Sequence, residues 1–211
     1  MRGTNGGPNA FNSYIWVIDA HPEDIQMVDY VKPNGEKVMR TVADYRQLND
    51  ALFHAGLASG SSFEWEDTPN RLHFYVVDGR TDKDGILLYT LAVRSLDGSG
   101  PQERGTALEG PAAVKAGQPY TPVVFTLRNT GRSAAADPAA HPGDARACLD
   151  SDVYRLSVSV EGEGWTAQLL NALVALEFDG SRHVAVYASS EAGSPSAKAT
   201  LKAVSESDPC L

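Results

Sequence analysis

Tyr154-Arg-Leu-Ser-Val-Ser-Val160 puts Tyr154, Leu156, Val158 and Val160 on one side of an extended chain and Arg155, Ser157 and Ser159 on the other. That is the period-two pattern of a half-buried strand. Around it recur short runs of the same kind, at 111–115, 123–129, 165–169, 183–188 and 197–205, with turn-forming residues and no helix between them. Several short strands at such spacing are the signature of a β-sandwich or barrel. The Ala, Pro, Asp and Gly-rich stretch between Gly131 and Ala147 is too long for a tight turn, so it reads as an excursion loop at one end of the sheets.

Working back toward the N-terminus, residues 96–109 consist largely of Asp, Gly, Ser, Pro and Gln, with Leu96 and Leu108 as the large apolar residues. This reads as a linker. Before it lies a smaller α+β piece at 14–95. In that piece Val42, Tyr45, Leu48, Leu52 and Phe53 recur at helical spacing, behind Thr41 as N-cap and ahead of Gly56 as C-terminal stop. Strand-like runs occupy 14–18, 63–66, 72–77 and 86–94, the last two forming a hairpin. Residues 1–13, rich in Gly and Asn, read as a flexible lead-in. The expected division is therefore lead-in 1–13, α+β piece 14–95, linker 96–109 and β-structure 110–211. The fold class is mostly β with one helix, and no internal repeat is visible.

Composition narrows the function. The 211 residues are 42% hydrophobic and 21% charged, ordinary values for a folded chain. Basic and acidic residues number 9 and 14 in 1–100 and 9 and 13 in 101–211, for a net charge of −9. Neither half offers a basic face for a phosphate backbone, so nucleic acid is not an expected partner. No apolar run approaches the length of a membrane span, and no signal-like segment follows Met1, so the chain reads as a fragment that has lost its own start. Two cysteines, Cys148 and Cys210, lie too far apart in sequence for a paired-ligand metal motif and fit a single disulfide better. Such a bridge points to an oxidising compartment and is worth about 4 kcal/mol by loop closure. Two unpaired thiols are the alternative.

No His-Glu-x-x-His, Gly-x-Ser-x-Gly, P-loop or paired-cysteine zinc spacing is present. His21, His54, His73, His141 and His183 are scattered, so the fold would have to assemble any metal site. Asp78, Asp82 and Asp84, in Asp78-Gly-Arg-Thr-Asp-Lys-Asp-Gly85, are the candidate ligands for a calcium ion around a glycine turn. Arg80 stands where a full loop would begin and no closing Glu follows, so a solvated hairpin turn is the stronger reading. Asp19, His21 and Glu23 follow an apolar strand, where catalytic groups are often mounted, but Asp19 and Pro22 equally suit a chain reversal. Trp165 and Tyr154 could form a sugar-binding platform, yet each sits in an alternating strand and reads as core.

Two resemblances join these readings. Ile15-Trp-Val-Ile-Asp-Ala-His-Pro22 with Tyr45-Arg-Gln-Leu-Asn-Asp-Ala-Leu-Phe53 resembles the segment that follows the catalytic core in secreted zinc metalloproteases of the immune inhibitor A (M6-like) type. Phe125-Thr-Leu-Arg-Asn-Thr-Gly131, Asp152-Val-Tyr-Arg-Leu-Ser157, Gly164-Trp165 and Ala203-Val-Ser-Glu-Ser-Asp-Pro209 are similar to immunoglobulin-like modules appended to secreted actinobacterial hydrolases. Those modules usually run on into a last strand beyond the point where this sequence stops. The resemblance implies an immunoglobulin-like β-sandwich at 110–211 and an accessory role in a secreted metalloprotease-like protein, stabilising or positioning a catalytic domain or binding substrate. Any zinc would sit in the parent's catalytic domain, since the zinc-binding motif is missing here and no catalytic residue carries over. The expected partner is that domain or another extracellular protein or polysaccharide. The rival reading is a stand-alone adhesion or carbohydrate-binding module.

Overall fold

A computed structural model describes residues 2–4, 15–17, 28–31, 36–39, 46, 72–95, 102–117, 120–134, 149–191, 194, 196–208 and 210. It divides into two compact units, one of residues 1–28 and 39–97, the other of 29–38 and 98–211. Among the described residues the chain is mostly β, built from antiparallel sheets and almost without helix.

In the first unit, β1 (Arg2–Thr4) pairs with β2 (Ile15–Val17). A separate two-stranded sheet joins β3 (Val28–Val31) to β4 (Lys37–Met39), whose residues 29–38 are grouped with the second unit. The main element of the first unit is the hairpin of β5 (Leu72–Thr81) and β6 (Leu87–Ser95). Its sequence expectation holds, but β5 runs four residues further than the apolar run indicates, because Asp78 to Thr81 pair with Thr90 to Leu87. A bulge at Val77 interrupts the register between Val76 and Asp78, and both consecutive valines are buried. The helix expected over 42–55 and the strand at 63–66 lie outside the described residues, apart from Arg46, which is buried.

The second unit holds β7 (Thr106–Glu109), β8 (Thr121–Asn129), β9 (Ser151–Glu161), β10 (Trp165–Leu169), β11 (Leu173–Glu177), β12 (Ser181–Ser190) and β13 (Lys198–Ser205). One sheet has the order β10-β12-β8-β7 and the other β11-β9-β13. Their inner faces meet in one apolar core: Leu127, Val184 and Val186 from the first sheet against Tyr154, Leu156, Val174 and Leu201 from the second. The alternation at 154–160 is realised, since Tyr154 and Leu156 point inward while Arg155, Ser157 and Ser159 face away.

Two strand expectations need correction. Residues 111–115 form no strand, and Pro111 removes a backbone donor at the start of that segment. The strand lies earlier, at Thr106–Glu109, inside the stretch read as linker. It is an edge strand on β8 whose Leu108 packs against the core, so one apolar side chain is enough to fix it. Leu173–Glu177 is an additional strand, unread in sequence because Leu173-Val-Ala-Leu lacks alternation; Leu173 and Val174 are both buried.

Candidate functional site

The turn of the β5–β6 hairpin is built by Asp82. Its Oδ1 accepts the backbone N–H groups of Asp84 and Ile86, each at 2.9 Å, while its carbonyl accepts Gly85 N–H at 3.1 Å. Gly85 closes the reversal at φ 81°, in the left-handed region that favours glycine. Asp78 stands in the strand rather than the turn, and its Oδ1 accepts the Gly79 N–H at 2.9 Å. The carboxylates of Asp78 and Asp82 thus serve local backbone geometry, and Asp84 contributes its backbone N–H to the turn. Among the described residues no group of three His, Cys, Asp or Glu side chains is placed to hold a metal ion, so the calcium reading gains no support.

The two described histidines lie on different strands. His73 is buried in β5 and stacks on Tyr75, with ring centroids 4.2 Å apart. His183 lies on β12, its Nδ1 3.3 Å from the Thr126 hydroxyl. His21, His54 and His141, with Asp19 and Glu23, lie outside the described residues. Cys210 is an exposed free thiol, and Cys148 lies outside the described residues. Tyr154 is core, as its alternation implies, and Trp165 is half-buried.

What sequence reading missed is the outer face of β6. Cross-strand pairing sets Leu87, Tyr89, Leu91 and Val93 on one face of the hairpin with Phe74 and Val76. These four are 54%, 40%, 56% and 56% exposed, and Ile86 at the turn adds 57%. Four large apolar side chains this exposed on one face are unusual for the surface of a self-sufficient monomer. The run Ile86-Leu-Leu-Tyr-Thr-Leu-Ala-Val93 carries the signal in its apolar density, but sequence gives no means of telling a covered strand from an uncovered one.

In the second unit the polar residues of the quoted motifs are tied to one another. Buried Asp152 accepts the Ser205 hydroxyl at 2.6 Å, the Ser207 hydroxyl at 2.8 Å and the Val153 N–H at 2.8 Å. Ser205 Oγ in turn accepts the N–H groups of Ser207 and Asp208. Arg155 and Glu206 close the same junction with a 2.7 Å ion pair. A serine hydroxyl committed to one carboxylate and two amides is a structural clamp, not a nucleophile awaiting a base.

Tyr154 donates its phenol to the Gly105 carbonyl at 2.8 Å. Burial raises this phenol well above its ordinary 10.0; Asp152 adds to the shift and Arg104 opposes it. Because the folded value lies above the unfolded one, the contribution is complete below pH 10 and is lost as pH rises beyond it. Stability is expected to fall by about 1.4 kcal/mol per pH unit above pH 10 on account of this group. Urea midpoints measured from about pH 9 to 11 should show that slope in the native chain and its loss in Tyr154→Phe.

Comparison with known proteins places two matches along the chain. A family model described as a Peptidase M6-like domain matches residues 105–211, and one described as a middle domain matches 6–96. A protein of Arthroderma benhamiae named "Putative secreted metallopeptidase" is 45% identical over 207 residues. That alignment covers 95% of this chain and 30% of the relative, so the chain spans less than a third of the length of the curated relative it matches. No solved structure matches. The relative's source gives the actinobacterial expectation no support.

Proposed function

For a chain that belongs to the Peptidase M6-like domain family, we propose the role of a non-catalytic accessory region in a secreted metallopeptidase-like protein, docked against the catalytic part of that protein. Its place is outside the cell, in keeping with the secreted relative; among the described residues no helix is long and apolar enough to cross a membrane.

The observation that carries this reading is the apolar row Leu87, Tyr89, Leu91 and Val93. Most of the matched relative's length lies beyond the aligned region, and a neighbouring domain of the same polypeptide is the simplest cover for such a face. Zinc belongs to that neighbour, because the described His, Cys, Asp and Glu side chains here do not converge into a ligand set. The 110–211 region is read as an immunoglobulin-like sandwich, a reading supported by its four-stranded and three-stranded antiparallel sheets around a shared core. The division at 14–95 and 110–211 is supported by the two matched segments.

The purified chain is expected to bind no stoichiometric zinc and to leave casein and gelatin uncut, with or without added Zn²⁺. Added to the separately expressed catalytic portion of its parent, it should form a complex that Leu91→Asp with Val93→Asp weakens at least tenfold, about 1.4 kcal/mol or more. Both substitutions fall on exposed positions, so far-ultraviolet circular dichroism should stay unchanged. Zinc-dependent cleavage by the chain alone would overturn the accessory role, and an unweakened complex would overturn the docking face.

A further inference from the structure

β13 is an edge strand: its ladder partner is β9, and among the described residues no strand pairs with its other side. The phase of the ladder follows from one bond. Glu206 N–H donates to Val153 O at 2.8 Å, directly across the register that pairs Ser205 with Tyr154. In an antiparallel pair such bonds alternate, so Lys198, Thr200, Lys202 and Val204 direct their backbone groups to β9. Ala199, Leu201 and Ala203 direct theirs outward, toward the uncovered side.

Beside the start of β13 lies a cleft of about 590 Å³, lined by Val114, Val123, Phe125, Val160, Trp165 and Ala199 among others. Its far wall includes the irregular segment 111–116, where apolar residues line the opening without forming a strand. The cleft therefore combines apolar side chains with the outward N–H and C=O of Ala199 at its rim, and the same open edge runs on past it to Leu201 and Ala203. These are the two elements by which a sheet edge captures an extended peptide. Charge selects the guest: Lys198 and Lys202 are exposed on β13 and Lys115 is exposed in the segment opposite, while Glu161 stands across from Lys198 and the uncharged Ser157 across from Lys202.

We propose that β13 and this cleft take an added strand from another polypeptide, one that alternates apolar side chains, which enter the cleft, with carboxylates that meet the lysines. The guest lies antiparallel or parallel to β13 and satisfies the outward groups of Ala199, Leu201 and Ala203. Its site lies in the second unit and is independent of the apolar face on β6.

The probe is a capped octapeptide of alternating valine and glutamate, titrated into the full chain by calorimetry and by the emission of Trp165, with Trp165→Phe as the optical control. Saturable one-to-one binding is expected, with slowed hydrogen exchange at the Ala199, Leu201 and Ala203 amides. Ala199→Pro removes an outward donor while leaving the β9 ladder its own bonds, and should weaken binding at least tenfold. Lys198→Glu with Lys202→Glu should weaken it similarly and shift preference to a valine–lysine octapeptide. If Ala199→Pro fails to melt cooperatively, the amide protection in the native chain decides. Absence of saturable binding, binding indifferent to Ala199→Pro in a folded variant, or protection arising from self-association of the chain would each overturn the proposal.

Discussion

Asp152→Ala is expected to destabilise the C-terminal unit by roughly 3–5 kcal/mol, the range for breaking a buried charged hydrogen-bond network. The carboxylate receives two hydroxyls and one amide, and its removal leaves Ser205, itself fully buried, without an acceptor. For a domain of this size the melting temperature should drop by more than about 12 °C. Asp152→Asn keeps one acceptor oxygen and should lose distinctly less. A thermal melt of the two variants in parallel checks the ranking: equal losses would mean that burial volume, not the hydroxyl clamp, matters at this position.

Leu127→Ala should cost about 2–5 kcal/mol, because a fully buried leucine leaves both its transfer free energy and a cavity behind. Leu127 is central to β8 and belongs to the cluster where the two sheets meet. Leu108→Ala, on the edge strand β7 and only partly buried, should cost clearly less. Urea denaturation at constant slope would test both. A loss at Leu127 no greater than at Leu108 would mean that the two faces are not held together through this core.

These expectations rest on features that sequence reveals unevenly. Strict alternation at 154–160 announced β9 because a half-buried strand needs one apolar and one polar face, and the same logic found β8, β10, β12 and β13. β11 escaped because both Leu173 and Val174 are buried, which erases the period. β7 escaped because an edge strand presents few core contacts, so its composition matches that of a connecting loop. Of the candidate ligands, Asp82 accepts the backbone N–H groups of the turn that leads into Gly85, the kind of local role an Asp before a glycine reversal takes. The exposed apolar face on β6 is the least legible element. Its residues are those of any interior strand, and what distinguishes it is its exposure among the described residues, which local pattern does not reveal.

The Asp152 clamp also bears on how the molecule is made. Its two hydroxyl donors stand 53 and 55 residues downstream of the carboxylate. At a synthesis rate of about 5–20 residues per second, a nascent chain holds that acid without its serine partners for roughly 3–10 s before they are polymerised. For most of that interval β9 has been synthesised but β13 has not. The C-terminal unit therefore closes only after Ser205 and Ser207 have been synthesised and have left the ribosome. A ribosome stalled before Ser205 would present a half-built sheet for chaperones to shelter or proteases to clear.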